Sequence, residues 1–198
     1  MLSKKYFKFS IIHILFIFFW SSIPLQSQEG IFIKERPAEI EKYVVELLRD
    51  ETSIANSEKR KLANAIVRFS KELKFTDSAK IGEEKIDELV FLTSLIKHFS
   101  KFQKFQTTGT SYGYMAVSES MIRETEKEFN AKIERTFDIY EPILNVKIGV
   151  RKLNGILAKA KSIKEAISEY ANLSGRKFSY DTFENTYRGY IEKNQKAK

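Results

Sequence analysis

The feature that most constrains this chain is the spacing of its apolar residues, which recur every three or four positions over most of its length. The clearest run follows Pro142 and consists of Ile143, Val146, Val150, Leu153 and Leu157. This spacing places the five side chains on one face of an α-helix, and proline suits a helix's first turn. No segment of convincing length alternates apolar and polar residues as a half-exposed strand does. The sequence therefore predicts an all-α fold, with room for a minor β-hairpin within residues 103–117.

Six further helices are predicted from the same spacing and from local start and stop signals. They are one from Pro37 onward, one capped by Ser57, one beginning within 82–87 and passing Phe99, one from Ser118 or Ser120, one from Ser162 to near Gly175, and one over 182–193. The third has apolar residues around most of its circumference, so we expect it to be central and buried. The fifth begins with the capping-box pattern Ser162-Ile163-Lys164-Glu165.

Composition narrows the class of protein. With 198 residues, 42% of them hydrophobic, the chain is long enough for one globular domain with a substantial core. It has no cysteine, which excludes disulfides, zinc–cysteine and iron–sulfur centres, a thiol nucleophile and a lipid-modified cysteine. We expect no cofactor and no metal ion.

The N-terminus has the pattern of an export signal. Three lysines precede the apolar run Ile11–Trp20, which is too short to span a bilayer comfortably, and a polar stretch follows. We interpret residues 1–27 as a signal peptide and the protein as periplasmic or secreted, the alternative being a short membrane anchor. Removal of these residues lowers Lys+Arg from 34 to 31 against 26 Asp+Glu, a net charge of +5 instead of +8. It also leaves His98 as the only histidine, which argues against a histidine-based metal site or a Ser-His-Asp triad.

Three ordered segments carry a resemblance to a known family. Ala65–Arg68 with Leu92–Phe102 is similar to a buried helix that ends in Glu-Ser-x-Phe, and Ser111–Val117 is similar to Ser-x-Gly-Leu-Met-Gln-Val. Residues 140–153 and 166–170 are similar to Asp-Pro-x-x-Asn-Ile-x-x-Gly-x-x-x-Leu and Ala-x-x-Tyr-Asn. In this order the segments resemble the soluble lytic transglycosylase and goose-type lysozyme family, which cuts or binds the glycan strands of peptidoglycan. Ordered spacing is more specific than any one motif.

The resemblance implies a lysozyme-like helical domain over residues 61–193, with a helical extension over 28–60 and a tail over 194–198. It also implies a glycan-binding site, formed by Ser100, Tyr112, Gly113, Tyr114, Met115, Asn145 and Tyr170. The three tyrosines are candidates to stack on sugar rings, because an aromatic face matches the apolar face of a pyranose. Ordinary packing in the core or at its rim is the alternative for each of them.

The resemblance fails at the catalytic position. In the family, the Glu of Glu-Ser-x-Phe protonates the glycosidic oxygen, whereas this chain has Phe99 there. Loss of general acid catalysis costs about 10²–10⁴ in rate. Ala116 and Ala171 replace the family's Gln and Asn, so two more polar groups are missing. The sequence therefore predicts a catalytically impaired protein.

Other side chains are candidates to donate the proton in place of the missing acid. Glu119 could act as the general acid if an apolar setting around Phe99 and Met115 raised its pKa. The alternative is that Glu119 is an exposed residue in the first turn of a helix. His98 adjoins the position, but one helical residue turns its side chain about 100° away. Asp138 and Glu141 stand at a helix entrance, where carboxylates commonly act as caps.

A basic stripe is a further candidate feature. It would consist of Lys97, Lys101 and Lys104, interleaved with Phe102 and Phe105. Such runs are more often solvated helix faces, and an exported protein rarely meets nucleic acid, so we expect no nucleic-acid partner.

Three functions remain open at this point. The first is a non-catalytic protein that binds peptidoglycan glycan or another cell-envelope component. The second is an active lytic transglycosylase with a displaced acid such as Glu119, and the third is an interaction protein without glycan affinity. In each case we expect no stable membrane span once the signal is removed.

Overall fold

The computed structural model describes residues 38–105 and 111–196. The predicted signal peptide (residues 1–27), the next ten residues (28–37), the segment 106–110 and residues 197–198 of the predicted tail lie outside the described residues. The described residues form one compact unit.

The fold is all-α with two small hairpins, as the apolar spacing predicts. Seven α-helices occupy the described residues: α1 (Ala38–Glu51), α2 (Asn56–Ser70), α3 (Glu88–Ser100), α4 (Glu119–Phe129), α5 (Pro142–Leu157), α6 (Ile163–Leu173) and α7 (Tyr180–Lys196). A 3₁₀ turn, Asp138–Tyr140, precedes α5. The strands are β1 (Lys80–Ile81), β2 (Glu84–Lys85), β3 (Ser111–Tyr112) and β4 (Val117–Ser118).

Helix α5 lies at the centre of the packing. It contacts α2, α4, α6, the 3₁₀ turn and β4, because its apolar face is buried along its whole length. Helix α3 packs between α2 and α7 and buries residues on most of its circumference. The prediction of a central, buried third helix is confirmed.

Both hairpins are short antiparallel pairs. Ser111 pairs with Ser118 and Tyr112 with Val117, which confirms a hairpin near the position that the sequence allowed. The β1–β2 pair was not predicted, because two-residue strands are too short to show alternation. Its turn contains Gly82 at φ +63°, a left-handed conformation that glycine adopts without steric cost.

Several helix boundaries differ from the predicted ones. Helix α2 begins at Asn56, so Ser57 lies inside the helix and no side chain caps it. Helix α3 begins only after Asp87, whose Oδ1 accepts a hydrogen bond from the Val90 N–H at 3.0 Å. Helix α7 begins two residues earlier than predicted, at Tyr180.

The capping box of α6 forms with a shift of one residue. Ser162 Oγ accepts a hydrogen bond from the Glu165 N–H at 3.1 Å, as predicted. The Glu165 carboxylate accepts from the N–H of Lys161, at 2.8 Å, rather than from that of Ser162. The helix ends before Gly175, whose φ of +63° matches the predicted left-handed stop.

The predicted division at residue 60 is not a domain boundary. It falls inside α2, and α1 packs on α2 with Val44, Leu47 and Leu48 in the common core. Likewise α7 extends to Lys196, into the predicted tail. Among the described helices, none is long and apolar enough to cross a membrane.

Candidate functional site

Phe99, which the resemblance places at the catalytic position, lies in the last turn of α3. It is 3% exposed, and its ring centroid lies 5.4 Å from that of Tyr170 and 5.7 Å from that of His98. The position at which the resemblance would require an acid therefore holds a buried phenyl ring in contact with two aromatic neighbours.

The side chain of His98, the residue before Phe99, packs against the segment that precedes α7. It is half-buried, and its ring meets the edge of Phe178 at 5.0 Å. Burial lowers its pKa, and a hydrogen bond to the backbone of Lys177 opposes that change in part. His98 is thus a packed side chain between α3 and the segment before α7.

Asn145 fastens the turn between β3 and β4 to helix α5. Its Oδ1 accepts from the Met115 N–H at 2.8 Å, and its Nδ2 donates to the carbonyls of Tyr112 at 3.0 Å and Ile139 at 2.9 Å. Gly113 has φ +68°, and a Cβ there would overlap the Asn145 amide. The Gly113, Met115 and Asn145 of the resemblance therefore form a structural clip, and all three are buried.

Tyr170 and Tyr114 have no exposed ring face. Both side chains are 0% exposed. The Tyr170 hydroxyl donates to the Met115 carbonyl at 2.8 Å, and the Tyr114 hydroxyl donates to Glu58 Oε1 at 3.0 Å. Burial raises the pKa of both phenols, and the Glu58 carboxylate raises that of Tyr114 further. In this conformation neither ring can stack on a sugar, so for these two residues the packing alternative is the correct one.

Ser100, Ala116 and Ala171 are also fully buried. The Ser100 hydroxyl donates to the carbonyl of Ile96 at 2.9 Å, which is a bond within its own helix. Ala116 has φ +48° and closes the β3–β4 turn through its N–H to the Gly113 carbonyl, at 3.2 Å. These three positions supply packing and turn geometry, with no polar group free for a ligand.

Glu119 is an ionised helix-start residue, and the prediction that an apolar setting raises its pKa is wrong. Its carboxylate accepts from Arg135 Nη2 at 2.8 Å and from Arg123 Nε at 3.1 Å. The hydrogen bond from Arg135 is the largest cause that lowers its pKa. A carboxylate held in this form is a poor proton donor.

The same arginine holds a second carboxylate. Arg135 also binds Glu126, with Nη2 3.0 Å from Oε2, and the Glu126 carboxylate accepts from the Ile133 N–H at 2.9 Å. These bonds lower the pKa of Glu126 to about 2. The group joins α4 to the loop that precedes the 3₁₀ turn, which is a structural role.

The predicted basic stripe is neutralised at two of its three lysines. Lys97 Nζ lies 2.6 Å from Glu51 Oε2, and Lys104 Nζ lies 3.2 Å from Glu58 Oε1. Lys101 is exposed and forms no ion pair with a described residue. Phe102, one of the interleaved aromatic residues, is fully buried.

Tyr112, the third tyrosine of the resemblance, lies beside two aromatic residues that the sequence did not single out as partners. The Tyr140 ring centroid lies 6.1 Å from that of Tyr112 and 5.0 Å from that of Phe105. Phe105 is 68% exposed, Tyr112 is half-buried, and Tyr140 is buried at 8% exposure, so two of the three rings reach solvent. We call Phe105, Tyr112 and Tyr140 the aromatic surface.

A rim of paired charges borders the aromatic surface. Lys104 Nζ lies 5.8 Å from the Phe105 ring centroid and bridges Glu58 and Glu141, the latter at 3.6 Å. Lys61 Nζ lies 3.4 Å from the other Glu141 oxygen. Two carboxylates and two ammonium groups give this rim no net charge. Glu141 thus forms ion pairs, and its side chain makes no cap bond to α5.

The sequence analysis did not predict that Glu58 and Lys61 belong to this rim, because no local sequence pattern distinguishes them. They stand on the exposed and half-buried side of α2, far in sequence from Tyr112 and Glu141. Within the described residues, no three His, Asp or Glu side chains come together to hold a metal ion.

Comparison with known proteins gives no relative: no family model, no curated protein and no solved structure matches this chain.

Proposed function

We propose that this protein is an exported, non-catalytic glycan-binding protein of the cell envelope, with peptidoglycan strands as its ligand. The observation that carries the proposal is the aromatic surface, three neighbouring rings that include an exposed phenylalanine. An exposed aromatic face bordered by hydrogen-bonding groups is the kind of surface on which the apolar face of a sugar packs. The ordered resemblance of residues 62–193 to lytic transglycosylases supports the choice of ligand and a lysozyme-like arrangement of the helices.

Two properties of the site favour a neutral sugar over an anionic polymer. The rim has no net charge, because Glu58 and Glu141 balance Lys61 and Lys104. These groups offer both donors and acceptors to hydroxyl and acetamido groups. An anionic polymer would need unpaired cations, which this rim does not provide.

The absence of an acid supports a binding rather than a hydrolytic role. Phe99 fills the catalytic position, and Glu119 is held ionised by two arginines. A sugar alkoxide is a poor leaving group that needs a proton. The active enzyme with Glu119 as the acid therefore has no support from this geometry.

The test is retention of the purified protein on insoluble peptidoglycan. We expect the wild type to be retained, and Phe105→Ala to reduce retention at least tenfold, because it removes the exposed ring. Phe129→Ala is the matched control, since Phe129 is also a half-exposed ring but packs beside Lys147 and Arg151 on α5. Equal retention of all three proteins would contradict the aromatic surface as the binding site.

The same preparations separate the other two functions. No retention of the wild type would favour an interaction protein without glycan affinity, for which the burial of Tyr114 and Tyr170 is the supporting observation. Release of anhydro-muropeptides that Glu119→Gln abolishes would overturn the non-catalytic proposal in favour of a displaced acid.

A further inference from the structure

A cavity lies away from the aromatic surface, between the loop 74–80 and the start of α6. Its volume is about 230 Å³. Its polar lining consists of three lysines and three hydroxyl residues: Lys74, Lys80, Lys161, Thr76, Ser78 and Ser162. It is smaller than the roughly 300–1,000 Å³ of drug-sized ligand sites. The size therefore suits a small ligand or one chemical group of a larger ligand.

The walls of the cavity are fixed on both sides. The N–H of Lys74 donates to Asn154 Oδ1 at 2.9 Å, which joins the loop to α5. Phe75 packs its ring against Phe91 of α3, with 4.9 Å between centroids. On the opposite side, the Ser162 cap bond to Glu165 holds the first turn of α6. Because these contacts already fix the lining segments, a ligand that enters the cavity has to order few side chains, which lowers the entropic cost of binding.

The charge of the cavity is unbalanced, unlike that of the aromatic surface. Among the described residues, Lys74, Lys80 and Lys161 form no ion pair, whereas Lys97 and Lys104 do. The carboxylates nearest in sequence, Asp77 and Glu165, are not part of the cavity lining, and that of Glu165 accepts from the Lys161 N–H. Three lysines therefore line one small cavity whose other lining residues include no carboxylate.

We propose that this cavity binds a phosphate group. Phosphate carries up to two negative charges and several acceptor oxygens, so it can use the three ammonium groups and the hydroxyl donors together. A carboxylate or a phosphodiester has one charge and two free oxygens and would leave donors unused. A phosphomonoester, either in a soluble metabolite or in the headgroup of phosphatidic acid, presents this chemistry.

The first experiment is a titration of isotope-labelled, full-chain protein with inorganic phosphate, followed by amide NMR. Sodium chloride at equal ionic strength is the reference. We expect saturable shifts at the amides of Ser162 and Ile163, which border the cavity. Substitution of the three cavity lysines by Gln weakens phosphate binding at least tenfold, because it removes all three cations.

A matched variant controls for net charge. Lys42→Gln, Lys127→Gln and Lys132→Gln together remove the same charge at exposed positions outside the cavity. We expect phosphate binding by this variant to stay within twofold of the wild type. No saturable shift in the wild type, or equal weakening in both triple variants, would overturn the proposal.

A second arm distinguishes the two sources of phosphate. Glycerol 3-phosphate and vesicles of phosphatidic acid in phosphatidylcholine are compared with vesicles of phosphatidylcholine alone. Competition by glycerol 3-phosphate without vesicle binding assigns a soluble phosphomonoester, and lysine-dependent vesicle binding assigns a lipid headgroup. Peptidoglycan retention is measured in parallel and stays unchanged in the cavity variant, because no residue is shared between the two sites.

Discussion

The Tyr170 hydroxyl donates a hydrogen bond to the Met115 carbonyl at 2.8 Å, while the ring of the same tyrosine covers Phe99. One side chain of α6 thus joins the β3–β4 turn to the end of α3. The segments that carry the resemblance are held together by this contact and by Asn145, in the buried interior of the protein.

Tyr170→Phe tests this link. The substitution keeps the ring but leaves a buried carbonyl without its donor, so we expect the free energy of unfolding to fall by about 1–3 kcal/mol. Urea denaturation measures the change. Tyr180→Phe is the control, because Tyr180 is only half-buried, and we expect it to change stability by less than about 0.5 kcal/mol. Equal effects of the two substitutions would contradict a specific role for the Tyr170 hydroxyl.

Phe99→Glu introduces the acid that the resemblance to lytic transglycosylases expects at this position and tests whether it confers activity on peptidoglycan. The new carboxylate would be buried beside Tyr170 without a partner, so its pKa rises above the ordinary value of about 4.3. Protons then bind the folded state more tightly, and the variant loses stability as pH rises through 4.3 toward the raised pKa. We expect no lysis of peptidoglycan, because Ala116 and Ala171 are also changed.

Phe99→Gln provides the comparison for this pH effect. Glutamine has nearly the same size but does not titrate, so the difference in unfolding free energy between the two variants isolates the carboxylate. Denaturation at pH 4 and pH 7 measures it. A difference that is the same at both pH values would show that the position is solvated.

Lys101→Gly tests the left-handed end of α3. Lys101 is exposed with φ +50°, where a side chain costs roughly 1–2 kcal/mol that glycine avoids. We expect Lys101→Gly to raise the free energy of unfolding by about 1 kcal/mol. Lys71→Gly removes the same charge at the end of α2, where φ is −70°, and is expected to lower it by about 0.5–1 kcal/mol. Thermal unfolding that ranks the two variants in the opposite order would refute the interpretation.

Arg135→Gln tests the ionic contact between α4 and the following loop. Arg135 lowers the pKa of Glu126 to about 2, so its contribution is present above the unfolded value of about 4.3 and is lost as pH falls toward 2. We expect the stability difference between wild type and Arg135→Gln to be largest near neutral pH and to shrink as pH falls from about 4.3 to 2. Arg123→Gln, at a more exposed arginine that binds Glu119, has a smaller effect. Chemical denaturation across this pH range measures both, and a difference that stays the same between pH 5 and pH 2 would contradict the mechanism.

The helices could be predicted because their signals are local. The spacing after Pro142 and the capping pattern at Ser162 each lie within one or two turns of a helix, and both elements form where expected. The start of α2 was misplaced because Ser57 is a good cap by type, but the chain turns helical before it. The β1–β2 pair was not predicted because strands of two residues are too short to show an alternating apolar pattern.

The candidate site could be predicted only in part. The resemblance predicted one site for Phe99, Gly113, Met115 and Asn145, and the apolar spacing predicted the burial of the helix that contains Phe99. Neither indicated that Gly113, Met115 and Asn145 form a buried clip. Tyr114 and Tyr170 show why, since an aromatic residue at a helical or turn position suits a core and a binding surface equally well. Exposure depends on what packs above a ring, and sequence spacing does not give that.

The sequence by itself determined the helical class and the absence of cysteine chemistry, because residue type and local period decide these properties. Only the tertiary structure decided that Glu119 is paired with arginines, that Lys97 and Lys104 are paired with carboxylates, and that Phe105 meets Tyr140. These contacts join residues that are distant along the chain, and their energies depend on distance and burial. For the same reason, the cavity lined by three lysines became visible only once the loop 74–80 and the start of α6 were placed side by side.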